Sequence, residues 1–298
     1  MMTELGIALV NGVFRGSVYA LVALGIVLIY RASGVFNFAQ AEFGTTGLFA
    51  AFAAVELWGW DYGWGIVFGL AAAVAMGLAT ERLVIHPLRN ASRVTLLVGT
   101  AGVALAAIGI QFWRNNEVPI RTMPKIVDGV AFAPFGAAVT WQHLITFGVL
   151  VAVAIALAIF FRSPSGIAIQ AAQQESTAAE LVGISVRRVS MMTWGIAALL
   201  GGLAGVLSGP NLTFTAGFLS FGGGAALLPG LMAAVLGGMK SMPGAVLGGV
   251  VVGVIEQFGS LSLFGGMAGG GAMILFVFLL VVLLLRPQGL FVRRAVPV

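Results

Sequence analysis

The sequence predicts an all-α polytopic membrane protein, a bundle of about eight to nine transmembrane helices, some short or broken, with glycine-rich packing. Three observations lead there. The chain of 298 residues is 60% hydrophobic and 8% charged, whereas about a quarter of the residues in an ordinary soluble domain are charged because its surface must be solvated. Apolar runs long enough to cross about 30 Å of hydrocarbon, roughly 20 residues each, recur along the whole length. Finally, there are 43 glycines, and some fall at four-residue spacing: Gly201, Gly205 and Gly209 in "GGLAGVLSG", and Gly249 with Gly253. Such faces let helix backbones approach closely in lipid, where packing must replace the hydrophobic force between helices.

Taken in order, hydropathy places spans at 8–30, 36–57, 63–84, 94–113, 142–161, 189–209, 225–239, 243–258 and 266–285. The first run follows a single charged residue, Glu4, with no basic leader and no small-residue cleavage pattern, so it reads as a retained segment. The stretch from Gly222 to Gly238 combines Pro229 with many glycines. It therefore reads as a broken or half-crossing helix, which membranes tolerate only where protein covers the freed backbone. No hydrophilic block reaches the size of a domain, so residues 1–298 form one transmembrane domain. Its longest polar segments lie at about 114–141 and 162–188.

Charge sets the orientation. In a nine-span arrangement Arg31, Arg82, Arg89, Arg93, Arg162, Arg187, Arg188, Lys240, Arg286, Arg293 and Arg294 share one side, and basic excess marks the cytoplasmic side. The N-terminus is then outside and the C-terminus cytoplasmic. The net charge of +5 is a signal of topology rather than of nucleic acid, which would need a basic face on a water-soluble surface. The chain has no cysteine and only two distant histidines, His86 and His143, so a metal site is not expected. A phosphate-binding loop needs a Gly-Lys pair, but the two lysines, Lys125 and Lys240, follow Pro124 and Met239. No cofactor is expected on this chain, and ATP hydrolysis, if used, belongs to another subunit.

Few ionisable residues fall within spans, and each is a functional candidate because burying charge in lipid is costly. They are Arg15, Glu42 and Glu256. Glu42 stands in "NFAQAEFG" with Asn37 and Gln40 nearby, a polar patch able to face a translocation cavity. The plainer reading is a hydrogen-bond cluster inside the bundle, or a pairing of Glu42 or Glu256 with Arg15. On the basic side, Ser163 before Pro164 reads as a helix start. Thr177 with Glu180 three residues on reads as a capping box. Gly183 followed by Ile184 reads as a Schellman stop. A connector with such defined ends suits the presentation of a fixed knob to a partner. A single-chain proton-coupled carrier, relying on Glu42 or Glu256, and a passive channel are the rival readings.

Five segments, in this order, give the chain a family likeness: "GSVYALVALGIVLIYRASGVFNFAQAEFG", "HPLRNAS", "AAELVGISVRRV", "AAVLGGMKSMPGAVLGG" and "LLLRPQGLF". The chain strongly resembles the branched-chain amino acid (Liv-type) family of ABC importer permeases, in particular the H-type half of the permease pair. The resemblance implies a subunit of the bacterial plasma membrane. Its partners would be a homologous M-type permease, two cytoplasmic ATPases that bind ATP and Mg²⁺, and an extracytoplasmic substrate-binding protein. It also implies that Glu175, Thr177, Ala178, Ala179, Glu180, Leu181, Gly183 and Ile184 form the helix that couples to the ATPase. The chain departs from the family pattern at Glu175, Thr177, Ala41 and His86, and at Arg15, where a small residue is usual. The family is also associated with urea, short amides and aromatic or cyclic acids.

Overall fold

The computed structural model describes residues 2–114, 120–261, 270–286 and 289–290. Helices dominate: α1 (Met2–Ser33), α2 (Gln40–Phe52), α3 (Tyr62–Thr80), α4 (Arg93–Arg114) and α5 (Trp141–Phe160) precede two short helices, α6 (Pro164–Gln174) and α7 (Ser176–Leu181). The chain continues through α8 (Val186–Ser208), α9 (Leu227–Gly237), α10 (Met242–Gly259) and α11 (Gly270–Leu285). Single π-helical turns at Ala53–Leu57 and Glu81–Ile85 prolong α2 and α3. Between α4 and α5 a small antiparallel hairpin pairs β1 (Val130–Phe132) with β2 (Val139–Thr140).

Each of the nine predicted spans contains a helix, but the helices differ in reach. Among the described residues six are long and apolar enough to cross a membrane: α1, α3 with its π turn, α4, α5, α8 and α10. The span predicted from residue 36 starts later, at Gln40, because the chain turns at Gly34 in the left-handed region (φ +66°) and stays non-helical to Ala39. The glycine-rich stretch behaves as its composition indicates, with α9 keeping only 11 helical residues, about 16 Å at 1.5 Å per residue. The start predicted at 266 lies outside the described residues, as do Arg293 and Arg294.

The bundle is built round α1. Tyr19 to Leu24 and Ile26 to Ile29 are buried, walled by α10, α8, α9 and α5. Two glycine seams make this density possible. Along α1 and α10, which run antiparallel, Gly12 and Gly16 face Gly253, Val250 and Gly249; a Cβ built at Gly16 would lie 2.7 Å from the Gly249 carbonyl oxygen. Along α2 and α8, Gly44 faces Gly201 and Gly205, and Gly209 takes the Leu48 side chain. Both seams use the spacing seen in the sequence, and both replace side-chain interdigitation by backbone contact.

The outer surface fits a bilayer. Large apolar side chains project from α4 (Leu105, Ile110, Phe112), α5 (Ile155, Ile159) and α11 (Leu280, Leu284). Trp58, Trp60, Trp64, Trp113 and Trp141 are exposed at helix ends opposite those that carry Arg31, Arg82 and Arg162. Tryptophan favours the membrane–water boundary, where its ring is half apolar and half polar.

The seams set an expectation for stability. Gly205→Val drives a side chain into the Gly44 carbonyl, and backbone on both sides cannot rotate away. The cost should be about 3 kcal/mol or more, read as a fall in thermal midpoint of the purified protein. Gly148→Leu in α5, where a Cβ meets open space, should stay within about 0.5 kcal/mol of wild type.

Candidate functional site: a buried polar junction and an exposed two-helix segment

Residues 212–226, between α8 and α9, include a short bridge and turns but no helix, yet Phe214, Phe218 and Leu219 are fully buried. Backbone inside a membrane bundle must find hydrogen-bond partners within the protein. Here side chains of other helices supply them. The Gln111 side-chain oxygen on α4 accepts from the Gly217 N–H at 2.9 Å, and Thr45 Oγ1 on α2 accepts from the Leu219 N–H at 3.2 Å. Phe214 is tied by a two-way backbone bridge to Arg121.

Glu42 stands at the centre of this junction. Its side chain is fully buried; one carboxylate oxygen accepts from Ser220 Oγ at 2.5 Å and the other from Gln111 Nε2 at 2.9 Å. One acidic residue therefore joins α2, α4 and the irregular segment. Asn37 and Gln40 are equally buried and serve the start of α2. Asn37 Oδ1 accepts from the Ala39 N–H at 3.0 Å, and Gln40 Nε2 donates to the Ala197 carbonyl on α8 at 2.8 Å. Thr100 on α4 completes the turn by accepting from the Phe38 N–H at 3.2 Å.

The three residues expected to line a pathway thus lie close together, with bonded side chains. None of them lines the three larger described cavities. These have volumes of about 600 Å³ between α2, α3 and α4, about 710 Å³ near Arg31 and Lys240, and about 330 Å³ near Arg15. Sequence reasoning missed Gln111, Thr45 and Ser220; the available signal was a glutamine in the otherwise apolar run of α4. The second intramembrane carboxylate pairs as the plainer reading expected: Glu256 Oε1 lies 3.8 Å from Arg15 Nη1, while Oε2 accepts from the Tyr19 hydroxyl at 2.5 Å.

The segment 162–188 sits at the basic end. Ser163 caps α6 by accepting from the Gly166 N–H, with Pro164 in the first turn, and Ile169 anchors that helix with no exposure. The capping box expected at Thr177 does not form. Glu175 takes the N-cap position of α7, its extended backbone letting the carboxylate accept from the Thr177 N–H at 3.3 Å. A carboxylate at that end also meets the positive pole of the helix. The stop is as expected: Gly183 adopts φ +86°, its N–H bonds the Glu180 carbonyl, and the Ile184 N–H bonds the Ala179 carbonyl, the two bonds of a Schellman motif.

Exposure divides the expected coupling residues. Glu175, Thr177, Ala178, Glu180 and Gly183 are exposed, Ile184 is half-buried, and Ala179 turns inward with 4% exposure. Leu181 is 85% and Val182 76% exposed. Val182 was not among the expected residues, because its place in the stop signal hid its outward side chain.

The family described as "Branched-chain amino acid transport system / permease component" matches residues 8–287. The chain belongs to this permease family. The high-affinity branched-chain amino acid permease protein LivH of Escherichia coli (strain K12) is 32% identical over 312 residues, covering 96% of this chain and 95% of that one. BraD of Pseudomonas aeruginosa, with the same description, is 32% identical over 97% and 96%. A chain of PsaBC from Streptococcus pneumoniae, solved in complex with Fab, aligns with a TM-score of 0.48 at 17% identity, over 93% of this chain and 91% of that one. The protein is thus a multi-pass transport permease.

The junction of this permease makes a sharp expectation. Glu42→Leu orphans the Ser220 hydroxyl and one Gln111 N–H, at about 1–3 kcal/mol each, while Glu42→Gln keeps one acceptor oxygen and should cost about half as much. Thermal unfolding of the purified variants, ranked wild type, Gln, Leu, checks the order; equal stability of Leu and wild type would remove Glu42 from its structural role.

Proposed function

We propose that this chain is the H-type permease subunit of an ATP-driven importer for branched-chain amino acids, with its N-terminus outside the plasma membrane and its C-terminus in the cytoplasm. The observation that carries the reading is the exposed apolar pair Leu181 and Val182, held on a helix with a Schellman stop at the basic end. Adjacent large apolar side chains in water, on a rigid and well-capped turn, are the signature of a surface that a partner covers. The partner is an ATPase subunit that binds ATP and Mg²⁺. A second such ATPase, an M-type permease and an extracytoplasmic binding protein complete the assembly. The names of LivH and BraD support the choice of solute.

In this reading the permease does no covalent chemistry. It passes solute between states of different affinity, and ATP binding and hydrolysis in the partner select the state. Asn37, Gln40 and Glu42 act behind the pathway wall, fixing α2 to α4 and α8. Both carboxylate oxygens of Glu42 are bonded, and it lines none of the three larger described cavities, which speaks against a single-chain carrier that would use it to ferry protons.

The test is ATP-dependent leucine uptake into proteoliposomes holding the two permeases and two ATPases, supplied with the binding protein. Leu181→Asp with Val182→Asp should cut uptake at least tenfold and uncouple the ATPase, with thermal midpoint unchanged because both residues are exposed. Ala179→Arg should instead lower the folded yield, since it places a charge where the side chain is buried. Uptake by this chain alone, indifferent to Leu181 and Val182, would sink the importer reading.

A further inference from the structure

The ion pair of α1 and α10 borders a cavity that the junction does not explain. About 330 Å³ in volume, it lies between α1, α5, α8 and α10, at the end of the bundle where α8 finishes. That volume is at the lower limit of ligand sites, which run from about 300 to 1,000 Å³, so it suits a small solute. Its polar wall holds Asn11, Arg15, Ser208, Asn211 and Gln257; its apolar wall holds Phe14, Val18, Leu207 and Leu212. His143, stacked on Phe14 with ring centroids 4.4 Å apart, closes one side.

Arg15 is poorly satisfied for a guanidinium with five donors. Its described contacts are one bond of 3.5 Å to the Gly223 carbonyl and the 3.8 Å approach to Glu256, which is beyond hydrogen-bond length. Its side chain is 40% exposed, against 17% for Glu256, and Glu256 is not part of the cavity lining. The carboxylate behind Arg15 is also held by the short bond from Tyr19. The guanidinium therefore presents open donors to the cavity while its charge is already balanced from behind.

We infer that this cavity is a solute-binding site for small zwitterions with an apolar side chain, in which Arg15 receives the carboxylate. The charge balance selects the ligand. A monoanion would add a second negative charge to one already neutralised arginine in a weakly screened setting. A zwitterion adds none, because its own ammonium travels with it and meets the side-chain oxygens of Asn11, Ser208, Asn211 or Gln257. A neutral amide leaves the open guanidinium donors without a carboxylate to take them as a pair. Phe14, Val18, Leu207 and Leu212 receive the apolar side chain. The inference deepens the importer reading and rests on it for the identity of the solute.

The experiment uses the complete permease–ATPase assembly in nanodiscs without the binding protein, and reads equilibrium binding of labelled leucine. Unlabelled leucine and 4-methylpentanoate compete in parallel. Saturable binding is expected, with Kd raised at least tenfold by Arg15→Ala, and less by Arg15→Lys. Asn211→Leu fills the rim without touching the ion pair, and should also raise Kd at least tenfold. 4-Methylpentanoate, which has the carboxylate and the apolar body but no amine, should compete at least tenfold more weakly than leucine. Absence of saturable binding, an unchanged Kd in both Arg15→Ala and Asn211→Leu, or equal competition by 4-methylpentanoate would overturn the site. ATP-driven uptake by the wild-type assembly with its binding protein separates the two readings. Binding that depends on Arg15 without such uptake removes the importer and keeps the site; uptake with binding indifferent to Arg15 does the reverse.

Discussion

Every other feature of this bundle is arranged round the need to pair backbone groups where no water can reach them. Helices do so internally, and most of the chain takes that course. Among the described residues, two largely buried segments stand out that do not: residues 34–39, before α2, and residues 212–226, before α9. At both, side chains of neighbouring helices stand in for the missing backbone partners. Asn37 and Thr100 serve the first; Thr45 and Gln111 serve the second, and Glu42 in turn fixes Gln111 and Ser220. Because an unpaired buried group costs about 1–3 kcal/mol, these few polar residues decide whether the irregular segments can stay inside at all.

The glycine seams follow from the same demand. An irregular segment inside the bundle must be covered on every side, so the surrounding helices have to close tightly. Along α2 and α8, backbone meets backbone at Gly44, Gly201 and Gly205, which brings Gln40 within 2.8 Å of the Ala197 carbonyl. A larger residue at the seam would hold α2 away and leave that amide without its acceptor. Close packing and polar satisfaction are therefore one constraint, expressed once as glycine spacing and once as buried Asn, Gln, Thr and Glu.

That coupling explains what was legible in the sequence. Span positions follow from hydropathy, a local quantity, and so do the Ser163 start and the Gly183 stop, which depend on residues within one turn. The short α9 was readable because Pro229 and the glycines act on their own backbone. The partners of Glu42 were not readable: Gln111 and Ser220 lie 69 and 178 residues away, and only the folded bundle brings them together. The cap of α7 shows a subtler failure. Thr177 and Glu180 satisfy the capping pattern, but Glu175 reaches the same N–H group first, and no local pattern tells which of two competent caps the chain will use. The inward turn of Ala179 and the outward turn of Val182 likewise depend on how α7 lies against α8.

The last step joins the two ends of the molecule. α8 begins at Val186, capped by Ser185 immediately after the Schellman turn that displays Leu181 and Val182, and ends at Ser208 in the wall of the cavity near Arg15. Its 23 residues make a rod of about 35 Å, with no proline to bend it. From Gly201 to Gly209 its contact with α2 is a glycine seam, and one turn before it the Gln40 side chain bonds the Ala197 carbonyl at 2.8 Å. In the importer reading, a push on α7 from a closing ATPase therefore has a direct route to the cavity near Arg15: displacement of α8 together with the α2 to which it is bonded, a small shear of packed helices. The buried junction sets the limit of the motion, because α2 is pinned to α4 and to segment 212–226 through Glu42 and Gln111. In that reading, a rod that reaches from the displayed turn to the cavity, tied through α2 to a pinned junction, carries nucleotide closure at one face to the solute site at the other.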